Sequence, residues 1–127
     1  MNVDVHHELA SRMLEDAREC IEKGDAVQAS EKLYKVAEEA VKVLAGRFGL
    51  PEYEDAIRMG RWTTPLLFRA VSRIVERLGR RIRHYWDTAW TLHVEGFHEA
   101  RLGIESVAER VEDIEELLMR LVERETG

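Results

Sequence analysis

Residues 25–48, DAVQASEKLYKVAEEAVKVLAGRF, decide the fold class. Apolar residues recur here at intervals of three and four, which is the spacing of one face of an α-helix. Asp25 is the predicted N-cap, with Gln28 as its capping-box partner. The helix is expected to end near Phe48, because Gly49 and a proline follow. Its apolar face consists of Ala29, Leu33, Val36, Ala37, Ala40, Val41 and Leu44.

A second amphipathic helix precedes this one. Residues 5–23 carry apolar residues at the same helical spacing, and Gly24 is a candidate C-cap in the left-handed conformation. Because the break between the two helices is so short, each apolar face can find a partner only by folding back on the other. The two helices are therefore predicted to form an antiparallel hairpin.

Three further helices are predicted after the hairpin. Thr64 can cap a helix whose first residue is a proline, and apolar residues continue at helical spacing until Gly79. Residues 82–93 form the next predicted helix. Gly96 is expected to weaken or kink the chain before a final long helix over about residues 100–121.

The remaining segment and the chain length complete the fold prediction. Residues 52–63 are expected to be a connector with one short helical turn over residues 54–59. Strand-like alternation of apolar and polar residues is missing from the sequence. Since 127 residues is a common length for one domain, residues 1–127 are predicted to form a single all-α, up-and-down bundle of four to five helices.

The composition bears on where the protein works. No apolar run approaches the roughly 18 residues that cross a bilayer, and the acidic N-terminal region lacks the basic start of a signal peptide. Cys20 is the single cysteine, so no disulfide can form within the chain. We therefore expect a cytoplasmic protein that does not enter membranes. Abundant Arg and Glu, with Asn2 and Gln28 as the only amides, are typical of thermophilic proteins.

Basic residues are concentrated in one part of this acidic chain, whose net charge is −6. Residues 57–83 carry eight basic groups and one acidic group. Arginines at steps of four residues project from one side of a helix, and planar guanidinium groups suit phosphate. We call them the arginine ridge: Arg69, Arg73 and Arg77, continued by Arg80 and Arg81 if the helix extends past Gly79.

The arginine ridge also has a purely structural interpretation. Acidic residues on the last predicted helix have a matching spacing, so they could neutralise the arginines within the fold. These residues are Glu105, Glu109, Glu112 and Glu116. At this stage the structural interpretation is favoured over phosphate binding, because no aromatic residues for stacking alternate with the arginines.

A second group of candidate residues lies in the segment 86–99, WDTAWTLHVEGFHE. Two tryptophans and two histidines occur there within fourteen residues. The predicted ligand-binding residues of this segment are Trp90, His93, His98 and Glu99. For His93 a structural interpretation, as a core histidine packed beside Trp90, is favoured over ligand binding.

Metal and cofactor sites are not predicted. His93 and His98 lie about 140° apart around a straight α-helix, so both could ligate one metal only if the helix breaks at Gly96. Glu95 and His98 form one Glu-x-x-His unit, but a di-iron centre needs two, which only a symmetric dimer would supply. The sequence also lacks a nucleophile elbow and a glycine-rich phosphate loop.

Several of these segments resemble a known superfamily. The sequence around Lys23-Gly24-Asp25 and the run from Lys32 to Lys42 resemble the HEPN (higher eukaryotes and prokaryotes nucleotide-binding) superfamily. Gly60-Arg61-Trp62 and the segment 86–99 are similar, more narrowly, to the archaeal PaREP family, whose function is largely uncharacterised.

The resemblance implies a helical bundle, commonly a homodimer, in a superfamily that includes nucleotide-binding partners of nucleotidyltransferases and metal-independent ribonucleases. The ribonucleases carry an Arg, four to six further residues and a His near the start of the last long helix. His93 and His98 have no Arg at that distance upstream. The nearest match is Arg77 with His84, which lies too early in the chain.

Three hypotheses about function follow. The preferred one is non-catalytic binding of an anionic ligand, a nucleotide or an RNA segment, between the arginine ridge and the segment 86–99. The first alternative is a metal-independent endoribonuclease, with His84 or His98 as the acid–base group and Arg77 or Arg83 stabilising phosphate charge. The second alternative is a structural or partner-binding dimer subunit. Its contacts would come from Trp62, Trp86 and Trp90.

Overall fold

The computed structural model describes residues 3–121, with side chains from residue 7 onward. All regular structure in this part of the chain is helical, which confirms the all-α prediction. Seven α-helices and one π-helix follow each other along the chain: α1 (Val3–Glu22), α2 (Ala26–Arg47), α3 (Pro51–Met59), α4 (Thr64–Leu78), α5 (Arg81–Thr91), the π-helix (Leu92–His98), α6 (Ile104–Ala108) and α7 (Val111–Met119).

Helix α2 is the centre of the fold. It packs against α1 in the predicted hairpin and also contacts α4, α5, α7 and the π-helix. Asp25 caps α2 by accepting a hydrogen bond from the backbone N–H of Gln28 at 3.0 Å, and Gly24 has the expected positive φ of 75°. The apolar face of α2 is buried, as its spacing predicted. The largest fully buried side chains of the core include Leu33 and Leu44 of α2 itself, and Ile74, Ile82, Trp86 and Ile114 of other helices.

Three predicted boundaries are wrong. The N-cap of α4 is Thr63 and not Thr64, because the side-chain oxygen of Thr63 accepts the hydrogen bond from the backbone N–H of Leu66. The expected connector contains a full helix, α3, which starts with a proline at its first position and ends at Gly60 in the left-handed conformation. The predicted long final helix is divided into α6 and α7. Arg110, in the break between them, donates a hydrogen bond at 2.8 Å to the carbonyl of Ser106, so a side chain satisfies a carbonyl at the end of α6.

Gly79 separates α4 from α5. Its φ of 101° is accessible mainly to glycine, so the helix stops there and does not continue into Arg80 and Arg81. This break shortens the arginine ridge to three residues on one helix and places Arg77 and His84 on different helices. None of the described helices is long and apolar enough to cross a membrane.

Candidate functional site

The π-helix places two histidines next to each other. In a π-helix the backbone hydrogen bonds join residues five apart, so the turn is wider than in an α-helix and residues i and i+5 lie on the same side. His93 and His98 have this spacing, and their Nε2 atoms are 3.1 Å apart. A straight α-helix would have kept them on different faces. The helix does not break at Gly96 as the sequence suggested, and the wider turn of the π-helix brings the two rings together instead.

Gly96 makes the close packing of the π-helix on α2 possible. A Cβ atom at this position would lie 2.5 Å from the Cβ of Ser30 and nearer still to its Oγ. Since real Cβ atoms essentially never approach so closely, any larger residue would push the π-helix away from α2. The glycine therefore fixes the distance between the histidines and α2.

Glu31 of α2 orients the histidine pair. Its carboxylate accepts a hydrogen bond from Nδ1 of His93 at 3.0 Å, and both side chains are mostly buried. A neutral His93 ring that donates from Nδ1 to Glu31 leaves its Nε2 to accept the N–H of His98. Lys35 lies 3.7 Å from the other Glu31 oxygen. These contacts form a polar chain from α2 to the exposed ring of His98.

Aromatic rings surround the histidine pair. The ring of His93 is centred 5.2 Å from Trp90, and the ring of His98 is centred 5.1 Å from Phe97. Phe68 of α4 packs edge-on against Trp90 at 4.9 Å and is itself 37% exposed. We call this set the ring surface: Phe68, Trp90, His93, Phe97 and His98.

Tyr34 lies beneath the ring surface. It is 5% exposed and stacks on His93 with ring centres 4.1 Å apart. Burial, together with the negative charges of Glu38 and Glu31, raises the pKa of the Tyr34 hydroxyl well above its usual range. The phenol is therefore held in its neutral form beside the imidazole.

Two members of the arginine ridge bind a buried glutamate of α3. Glu52 is 3% exposed, and the Nε atom of Arg73 lies 2.9 and 3.0 Å from its two carboxylate oxygens. Arg69 lies 3.9 Å from the same carboxylate. The structural interpretation of the ridge named the wrong partner, since these arginines contact Glu52 and not the glutamates of the last predicted helix.

The other candidate cations lie apart from the ring surface. The guanidinium group of Arg77 stacks 4.8 Å above the ring of Phe48. Arg80, Arg81 and Arg83 are exposed and form no ion pair with any residue between 7 and 121. Helix α4 thus directs Phe68 towards Trp90, while its arginines contact α3 and the end of α2. In the described part of the chain, no contact joins the arginine ridge to His93 or His98.

His84 has a carboxylate partner of its own. Its Nε2 atom lies 3.0 Å from Asp113 of α7, and the same oxygen accepts a hydrogen bond from Thr88 at 2.7 Å. The side chain of His84 is 67% exposed. The structure therefore places His84 in a link between α5 and α7, separate from His98.

The acidic residues beside the histidine pair do not complete a metal site. Glu95 binds Arg101 at 2.8 Å, and this hydrogen bond raises the pKa of the Arg101 guanidinium. Glu99 follows the π-helix and is exposed. Among the described side chains, no group of three or more His, Cys, Asp and Glu converges on one point.

Two placements could not be read from the sequence. Glu31 and Phe68 join the ring surface from α2 and α4, and their local patterns are those of ordinary helix positions.

Trp86 is 1% exposed and packs in the core, so the hypothesis that it supplies a dimer contact is wrong. Trp62 and Trp90 are half-buried.

Comparisons with known proteins support the narrower of the two resemblances, the one to the archaeal PaREP family. A crystal structure of a protein from Sulfolobus solfataricus is 42% identical to this chain, with a TM-score of 0.80, and covers 89% of this chain and 92% of that one. A solution structure solved for the same target is 41% identical, with a TM-score of 0.76 and coverage of 89% and 88%. No protein with a curated description matches. The model of the archaeal PaREP1/PaREP8 family matches residues 5–118, so the chain belongs to this family.

Proposed function

We propose that the chain is a non-catalytic module that binds a nucleotide or a short RNA segment on the ring surface. The observation that carries this proposal is the placement of partly exposed rings around a pair of imidazoles that the largely buried carboxylate of Glu31 orients. This arrangement offers both a face for a base and donors for a phosphate.

The aromatic rings supply the base contact. Stacking of a nucleobase on an aromatic side chain contributes about 1–3 kcal/mol and tolerates any base. Phe68 and Trp90 come from different helices and meet edge to face, so each is held in place by the other. Because Trp86 packs behind both rings, a base stacking on them meets a surface that is already ordered.

The histidine pair supplies the phosphate contact. His98 is exposed. Its Nε2 is engaged by His93, so the protonated ring donates to a phosphate from its Nδ1–H, and Glu31 holds the ring of His93 behind it in one orientation. Lys35 adds a cation at the edge of the same surface, where its side chain is 54% exposed. The arginine ridge is not needed at this position, although Arg80 remains free to meet a longer RNA chain.

Binding measurements with adenosine monophosphate and a single-stranded oligonucleotide of RNA test this proposal. Phe68→Ala and His98→Ala should each weaken binding by about tenfold, while His84→Ala, which removes the other carboxylate-paired histidine, should leave the dissociation constant unchanged. If Arg73→Ala with Arg77→Ala abolished binding and the two ring-surface variants did not, the ligand would lie on the arginine ridge instead.

One observation favours a second function, metal-independent cleavage of RNA. The chain Glu31–His93–His98 has the form of a carboxylate-oriented acid–base group, with the last imidazole open to solvent. Of the catalytic candidates, only His98 belongs to this hydrogen-bonded series. His84 binds Asp113, and neither Arg77 nor Arg83 contacts the series. RNA cleavage in EDTA that disappears in His98→Ala, and not in His84→Ala, would support catalysis. Intact RNA would leave binding as the function.

A dimer and a nucleotidyltransferase-type partner remain predictions from the resemblance to HEPN proteins. The described surface contains large apolar side chains suitable for such contacts, among them Leu9, Ile57, Met59 and Met119. Light scattering at micromolar concentration tests the dimer directly, and a mass equal to one chain would contradict it.

A further inference from the structure

A groove of about 390 Å³ opens between the second half of α2 and α3. It lies away from the ring surface, because Lys42 at its edge is about 16 Å along the axis of α2 from Glu31. The walls of the groove are mainly apolar and consist of Val43, Tyr53, Ala56, Ile57 and Trp62. The residues Gly60-Arg61-Trp62, noted in the sequence, form one end of it.

Close backbone packing fixes the aromatic walls. A Cβ at Gly46 would lie 2.8 Å from the ring of Tyr53, so this ring rests directly on the backbone of α2. Gly60 ends α3 with a φ of 76° and turns the chain back, which brings Trp62 edge-on to Tyr53 at 6.5 Å. The groove is therefore formed before any ligand arrives.

The charges around the groove favour an anion. Lys42 lines the groove and is paired with Glu38 at 3.1 Å, and Glu39, also in the lining, is not without a partner. Arg61 is exposed at the groove and forms no ion pair with any residue in the described part of the chain. Its guanidinium group is thus available for a carboxylate or phosphate, which it can bind through two parallel hydrogen bonds.

We infer that this groove binds a small molecule with an apolar, ring-sized body and one anionic group. The body lies between Tyr53, Trp62 and the aliphatic walls, and the anion meets Arg61. Sites for small ligands are mostly apolar, with a few polar groups that fix orientation, and their volumes begin at about 300 Å³. This site does not depend on the ring surface, so nucleotide binding there can fail while this inference holds.

Three compounds that differ only in their head group test the inference: 4-phenylbutyrate, 4-phenylbutan-1-ol and 4-phenylbutylamine. Binding is followed by the chemical shift of the Trp62 indole N–H. The carboxylate should bind about tenfold more tightly than the amine, as expected for a charge-assisted hydrogen bond. Arg61→Gln should remove this preference and leave binding of the alcohol unchanged. Arg58→Gln, an exposed arginine of α3 outside the groove lining, is the matched control and should keep the preference.

Several results would overturn the inference. They are a Trp62 signal that none of the three compounds shifts, equal affinities for the three, or a preference for the carboxylate that survives in Arg61→Gln. A concentration-dependent dimer that loses its contact in Ile57→Glu would show that a second copy of the chain occupies the groove. If Ala56→Leu, which fills the groove, folds normally and still binds the carboxylate, the ligand lies elsewhere.

Discussion

His93 and His84 each lie 3.0 Å from a carboxylate oxygen, but their surroundings differ. The side chains of His93 and Glu31 are 19% and 16% exposed, and Tyr34 stacks on the imidazole. His84 is 67% exposed and borders only the tilted ring of Tyr85. The same pair of groups thus occurs once in a packed site and once at the surface.

The comparison shows what burial adds to a contact. An exposed ion pair exchanges its partner for water at little cost, so it orients a side chain weakly. A half-buried pair that is also held by stacked rings cannot make this exchange, because an unpaired carboxylate would remain in a poorly hydrated place. His93 is therefore fixed, and through it His98, whereas His84 is not.

The largest expected effect comes from breaking the packed site itself. Gly96→Ala places a methyl group against Ser30 and should lower the free energy of unfolding by about 2–3 kcal/mol. It should also separate His93 from His98, which NMR of the imidazole protons would detect. The control is Gly103→Ala, where a Cβ meets no atom within 4 Å. Equal stability of the two variants would contradict the close approach of the π-helix to α2.

The next largest effect is the difference in coupling energy between the two histidine–carboxylate pairs. Double-mutant cycles with Glu31→Gln and His93→Ala, and with Asp113→Asn and His84→Ala, measure the two coupling energies by urea unfolding. We expect about 1–2 kcal/mol for the packed pair and about 0.5 kcal/mol or less for the exposed pair. Equal coupling energies would mean that burial does not distinguish the two histidines.

The smallest effect concerns Tyr34 beneath the packed site. Because the pKa of Tyr34 is raised in the folded chain, the unfolded state loses this proton first as the pH rises past about 10, and stability falls. The loss reaches about 1 kcal/mol at about pH 11 and should be missing in Tyr34→Phe. Urea unfolding of both proteins at about pH 8 and pH 11 checks this, and an equal loss in the two would refute it.

The helices were largely predictable, because their information is local. The cap at Asp25, the apolar face of α2 and the stop at Gly79 each depend on residues close in sequence. The π-helix was not predictable in form. Gly96 indicated an irregularity, but its close packing on Ser30 is a contact with a residue more than sixty positions away in the chain, which the local sequence does not reveal.

The candidate site was predictable only in part. The sequence pointed to Trp90, His93 and His98, which the structure brings together, and to Glu99, which stays exposed next to them. It also pointed to the arginine ridge, whose spacing is regular but of which Arg69 and Arg73 pair with Glu52 and Arg77 stacks on Phe48. The spacing of charges on a helix face does not reveal which residue, if any, the charges pair with in the fold.

The sequence by itself determined that the chain forms an all-α bundle, because helix periodicity, caps and breaks follow from neighbouring residues. It also identified side chains able to bind or react. Only the tertiary structure decided which of those residues act together. That choice depends on which helix faces pack together: the largely buried Glu31 of α2 pairs with His93, and the buried Glu52 of α3 pairs with Arg73.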